Sequence, residues 1–117
     1  MNQNDSKGFI ETIGLVAAIQ AADVMLKSAN VRVEAVANAD GGLITVICTG
    51  DLASCNAAVD AAKATISTTD TYFNSNQIPR PDSDVQWLIS DRIGSMVKLG
   101  ETGRSQTPAK ESKKTRK

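Results

Sequence analysis

The sequence predicts an α+β domain built on the ferredoxin-like split βαβ plan, β-α-β-β-α-β: an antiparallel sheet with two helices on one face and a short C-terminal helix. Three observations predict it. Two alanine-rich segments, residues 15–29 and 52–66, repeat apolar residues at steps of three and four. Between them, two β-prone runs flank the Asn/Asp/Gly-rich stretch at 38–42, which is hairpin chemistry. A further β-prone run stands outside each helix, at 8–13 and 68–78.

In chain order, residues 1–7 are polar and expected to be disordered. Residues 8–13 are short, β-prone and bounded by Gly8 and Gly14. The first helix places Leu15, Ile19, Ala22 and Leu26 on one stripe, with Gln20, Asp23 and Lys27 opposite, so that stripe is expected to face the sheet. Asn30 suits a helix exit, because asparagine tolerates a left-handed cap. Residues 31–36 alternate at first, as a half-buried strand does. Residues 43–49 are apolar almost throughout, as a strand covered on both faces would be. Asp51 is a natural N-cap for the second helix, whose stripe is Leu52, Cys55, Val59, Ala62 and Ile66. In residues 68–78, Tyr72, Phe73 and several threonines favour a strand, while Asn74-Ser75-Asn76-Gln77 is turn-like. Pro79-Arg80-Pro81 breaks regular structure, and a short helix capped by Asp82 or Ser83 runs to about 89. The expected organisation is a disordered stretch at 1–7, one domain at 8–90 and a flexible basic tail at 91–117.

The 117 residues carry a formal net charge of zero, which conceals an asymmetry. Residues 1–103 hold 7 basic and 12 acidic side chains, a net of −5, and residues 104–117 return a net of +5. With no apolar residue larger than Ala109, that last segment buries too little to offset its ordering entropy. There is no histidine, which excludes Ser-His and Cys-His nucleophile systems, histidine metal ligands and a histidine pH switch. Cys48 and Cys55 read as small buried residues, since two thiols without Cys-x-x-Cys spacing make a poor zinc site. No apolar run reaches the roughly 18 residues of a membrane span, and the N-terminus lacks a signal-peptide core, so the cytoplasm is the expected location. The glycines match no phosphate loop, and Asp82/Asp84 fit helix capping better than acid–base catalysis. Few aromatics and an acidic domain argue against RNA recognition, leaving only unspecific contact through the basic tail. No catalytic, cofactor-binding or metal-binding residue is expected.

Several strings, in order, resemble bacterial microcompartment shell proteins of the single-domain, hexamer-forming type. They are Gly8-Phe9-Ile10-Glu11-Thr12-Ile13-Gly14-Leu15, then residues 21–31 from Ala21 to Val31, then Gly42-Leu43-Ile44-Thr45-Val46-Ile47 with Gly50-Asp51, then Ile78-Pro79-Arg80-Pro81. The resemblance implies a flat homohexamer that tiles with other shell proteins into the facets of a protein organelle and passes small metabolites through a central pore. It implies that Asn38, Ala39, Asp40, Gly41 and Gly42 line the pore, and that Lys27, Asn30 and Arg80 lie at the edge between hexamers. Glycines let six backbones crowd around an axis where a Cβ would clash. Lysine can lay its stem along a flat seam, and arginine offers several donors to a neighbour's carbonyls. Taken alone, the same residues also fit a plain hairpin turn and solvated charges, and the plan also suits a small-ligand-binding regulatory protein. Asp40 stands where many relatives have a small neutral residue; six copies would disfavour anions at the pore. The basic tail suits contact with acidic encapsulated enzymes, contact with a neighbouring shell face, or simple solubility.

Overall fold

Four strands, β1 (Ser6–Ile13), β2 (Arg32–Asn38), β3 (Leu43–Gly50) and β4 (Tyr72–Ile78), pair antiparallel in the order β2-β3-β1-β4. In this computed structural model the described residues are 5–38 and 40–93. Helix α1 (Leu15–Ser28) packs over β1, β3 and β2, and α2 (Leu52–Ile66) packs over β1, β4 and β3. A short α3 (Ser83–Trp87) continues into a π-helical segment, Leu88–Ile93, that lies against β2. The element order and topology are those of the split βαβ plan. No helix among the described residues is long and apolar enough to cross a membrane.

The residues of 72–77, polar as they are, do form a regular strand. β4 is held by its pairing with β1, from Lys7↔Ile78 to Glu11↔Asn74, and is an edge strand whose polar side chains meet water. The ladder shifts between Glu11 and Thr12, so Phe73 is left without a partner in the register. Caps fall where the side chains predict. Asp51 accepts from Ser54 N at 2.8 Å at the start of α2, and Asp82 accepts from Asp84 N at 3.1 Å at the start of α3.

Three expectations are corrected. Strand β1 begins at Ser6, so Ser6 and Lys7, expected in a disordered stretch at 1–7, are buried strand residues; residues 1–4 lie outside the described residues. Helical structure also continues through Asp91 to Ile93, past the domain end expected at 90; residues 94–117, with most of the expected tail, lie outside the described residues. The larger correction concerns α1. Its buried residues are Ala17, Ala18, Ala21 and Met25, while Leu15, Ile19 and Leu26 are exposed and Ala22 is half-buried. The expected stripe therefore faces away from the sheet. For α2 the stripe holds, with Cys55, Val59, Ala62 and Ile66 buried beside Ala58, and only Leu52 exposed.

The reason lies in the distance between layers. A Cβ built on Gly8 would sit 2.7 Å from Val59 Cγ2 and 2.8 Å from Cys48 Sγ, so α2 rests on a strand position where no side chain fits. The core is correspondingly fine-grained: Ile10, Ile44, Val46 and Cys48 from the sheet meet alanines, Met25, Cys55, Val59 and Ile66 from the helices. Small residues let the helices approach, and larger ones on the same face would hold them off.

Lys7 is wholly buried on the other face of the sheet. Its Nζ donates to Glu34 Oε1 at 2.6 Å and to Thr49 Oγ1 at 3.1 Å, which joins β1, β3 and β2 in one row. Arg32 pairs with Thr49, so ordinary strand alternation puts Glu34, two residues on, on the face of this row, and the register shift between Val33 and Ala35 follows it. Glu34 Oε2 is buried and has no hydrogen-bond partner. The pair holds two charges out of water, so removing one partner leaves the other uncompensated. Lys7→Met is expected to cost about 3–5 kcal/mol in urea unfolding at fixed protein concentration. The double change Lys7→Met/Glu34→Leu is expected to recover most of that loss. Equal stability of the single and double variants would contradict this role for the pair.

Candidate functional site

The expected functional residues gather at the two ends of the sheet. At one end, β2 and β3 are joined by the hairpin loop. Asn38 closes β2 and is exposed, Ala39 lies outside the described residues, and Asp40–Gly42 form a 3₁₀ turn. Gly41 has φ 80° and ψ 17°, and Gly42 has φ 83°. Nothing lies within 4 Å of a Cβ at either position, so glycine is required there by backbone conformation within the chain, not by crowding. Gly42 O accepts from Gly14 N at 2.8 Å, which ties the loop to the first residue before α1.

At the other end, Asn30, Gly50, Ser6 and Arg80 form a row. Asn30 O is 3.1 Å from a Cβ placed at Gly50, Gly50 pairs with Ser6, and Ser6 Oγ accepts from Arg80 N at 3.2 Å. Lys27 stands one turn of α1 before Asn30; its side chain is 76% exposed and paired with Asp23 at 3.0 Å, an i,i+4 contact of little energetic weight at that exposure. Arg80 is exposed and has φ 43°, the one positive φ on a non-glycine residue among those described. A residue before proline prefers extended backbone, so this conformation carries strain of order 1–3 kcal/mol. The hydrogen bond to Ser6 holds it from one side, and Gln86 Nε2 donating to Pro81 O at 3.0 Å holds it from the other. The structure thus brings Lys27, Asn30 and Arg80 to one end and Asn38 with Asp40–Gly42 to the opposite end. With β3 eight residues long, the two ends are separated by roughly 25 Å at about 3.4 Å per residue.

A polar hollow near the Asn30 end is lined by Asp5, Asn30, Arg32, Thr49 and Asp51, with Arg32 Nη2 3.7 Å from Asp5 Oδ2. Among the described residues no group of three His, Cys, Asp or Glu side chains is placed to hold a metal. The two thiols are buried. Burial pushes Cys48 up to about 12, helped by the neighbouring Cys55, and burial also raises Cys55. Thiols so protonated are poor nucleophiles at neutral pH. Two features had no expectation attached to them: the Lys7–Glu34 pair and the outward apolar face of α1. The sequence does carry a trace of each, as a lysine at the start of a strand and as leucines and isoleucines on a helix whose other residues are alanine.

A family model for the BMC domain matches residues 6–81. The chain belongs to the BMC family of bacterial microcompartment shell proteins. It is 47% identical over 83 residues to the shell protein EutK of Escherichia coli K12, a match covering 71% of this chain and 50% of that one. It is 41% identical over 91 residues to the shell protein PduA of Citrobacter freundii, covering 78% and 98%. It is 42% identical over 82 residues to EutM of Salmonella typhimurium LT2, covering 70% and 85%. Among solved structures it resembles a microcompartment protein from Desulfitobacterium hafniense, with a TM-score of 0.65 and 29% identity over 74% of this chain and 47% of that one. The chain therefore spans half the length of its EutK relatives and nearly all of PduA.

The buried thiols give the BMC fold a defined alkaline response. An unfolded thiol ionises near 9.0, whereas Cys48 in the fold does so near 12. Across that window the folded chain keeps a proton that the unfolded chain has lost, so stability falls as pH rises. The stability of the natural chain minus that of Cys48→Ala is expected to decrease steadily from pH 9 upward in urea melts. A difference independent of pH would contradict the assignment.

Proposed function

We propose that this BMC protein is a non-catalytic structural component of a microcompartment shell in the cytoplasm, closing into cyclic hexamers that tile edge to edge into facets. The observation that carries the reading is the separation of the two residue sets along the same strands. Residues 38–42 crowd the six-fold axis, and Lys27, Asn30 and Arg80 occupy the rim, so the strands run outward from the axis. The chemistry of each set suits its place. Gly41 and Gly42 leave only backbone where six copies converge, so N–H and C=O groups line the passage for small metabolites. Asp40 is the one ionisable residue among 38–42, and six copies disfavour anions against neutral or cationic solutes. At the rim, Lys27 is long and exposed, and Arg80 is fixed by its hydrogen-bonded turn, which lowers the entropy lost when it donates to a neighbour's carbonyls. Other shell proteins meet the same rim, and the basic segment 104–117 is available to acidic encapsulated enzymes.

Light scattering is expected to give a mass of about 74 kDa, six times the 12.3 kDa chain. Electron microscopy of the concentrated protein is expected to show sheets or tubes. Lys27→Ala should leave the 74 kDa particle intact and abolish or sharply reduce the extended sheets. A dimer or monomer in the natural chain, or undiminished sheets in Lys27→Ala, would overturn the ring or the rim assignment respectively.

A further inference from the structure

We infer that neighbouring copies in the ring are joined by a heterologous seam in which Phe73 of one copy seats on the apolar face of α1, at Leu15, Val16 and Ile19, of the next. This inference rests on the ring reading and names the surfaces that close it.

The α1 face is unusual for a water-facing surface. Leu15 is 50% exposed, Val16 84% and Ile19 55%, and together they line a shallow hollow at the start of the helix. The helix buries three alanines and Met25, so most of its large apolar side chains lie on the side turned away from the sheet. Large apolar residues clustered in this way mark a contact surface, whereas scattered ones do not.

Its position selects the occupant. α1 begins beside Gly14, whose N–H is bonded to Gly42 in the hairpin loop, so the apolar face is continuous with the loop assigned to the axis. Surface that close to a rotation axis lies within reach of the next copy. A ring of more than two copies needs two different patches, on opposite flanks of each copy and at the same radius. α1 lies towards the β2 side of the sheet, over β2, β3 and β1. The matching patch must then lie on the β4 flank at the loop end. Phe73 stands there. It is on the opposite edge strand, 54% exposed, at the register shift beside Thr12↔Tyr72, and Ile13 N donates to Thr71 O at 2.8 Å just beyond it. An aromatic ring opposite a hollow of leucine, valine and isoleucine is the kind of contact that carries interface energy.

The test is a cysteine pair. The natural thiols are buried, so they do not compete. Oxidation of Val16→Cys/Phe73→Cys is expected to give a ladder of linked species reaching six chains on non-reducing gels, and each single variant alone should give none. Val16→Glu should reduce the 74 kDa particle to monomer with unchanged circular dichroism, since Val16 is already mostly exposed. Intact rings in Val16→Glu would overturn the seam and assign the α1 face to another occupant. Intact rings of the double variant without cross-links, or dimers from a single variant, would also overturn it. In those cases the ring itself survives. A natural chain that forms no ring at all removes both the seam and the reading beneath it.

Discussion

The approach of the two helices to the sheet is the constraint on which the other features depend. Where α2 crosses β1, Gly8 leaves no room for a Cβ between Val59 and Cys48. The inner faces of both helices are mostly small, Ala17, Ala18 and Ala21 beside Met25 on α1, and Cys55, Ala58 and Ala62 beside Val59 and Ile66 on α2. A thin two-layer unit with a fine-grained core follows. So does its consequence for the outside. Apolar bulk is carried on the outer side of α1, exposed among the described residues.

The second organising feature is the direction of the strands. All four run between the same two ends, one made by the hairpin loop and the other by the row from Asn30 through Gly50 and Ser6 to Arg80. Two sets of residues with different tasks are thereby held apart by a stiff sheet. Lys7, Thr49 and Glu34 cross three strands near the Arg80 end. The strained backbone at Arg80 is fastened to the same end, through Ser6 and through Gln86 of α3. These fastenings gather at the end proposed to meet neighbouring tiles.

Much of this was legible in the residues, and what was not has physical reasons. The hairpin was readable because Asn38, Asp40, Gly41 and Gly42 adopt turn backbone at little cost. The α2 stripe was readable because its large residues, Val59 and Ile66, are also its buried ones. On α1 the same rule failed: Leu15, Ile19 and Leu26 satisfy helical periodicity yet are exposed, while Ala17, Ala18, Ala21 and Met25 are buried. β4 was ambiguous because an edge strand with a wet face carries little apolar signal, and its register comes from β1. The Lys7–Glu34 pair was missed because Lys7 falls in a polar stretch expected to be disordered, and alternation puts Glu34 on the face away from the helices, where a charge reads as solvated. The site residues were reached through the family resemblance; local chemistry alone favoured a plain turn and solvated charges.

The central claim is that the strands point from an axis at the hairpin loop to a rim at Lys27, Asn30 and Arg80. Electron cryomicroscopy of the assembled protein, at a resolution that traces the backbone, tests it most directly. The account predicts six-fold discs in which residues 38–42 of every copy lie nearest the axis and Lys27 lies at the disc edge against a neighbouring disc. Discs with the hairpin loops at the outer edge, or an assembly without six-fold symmetry, would contradict it.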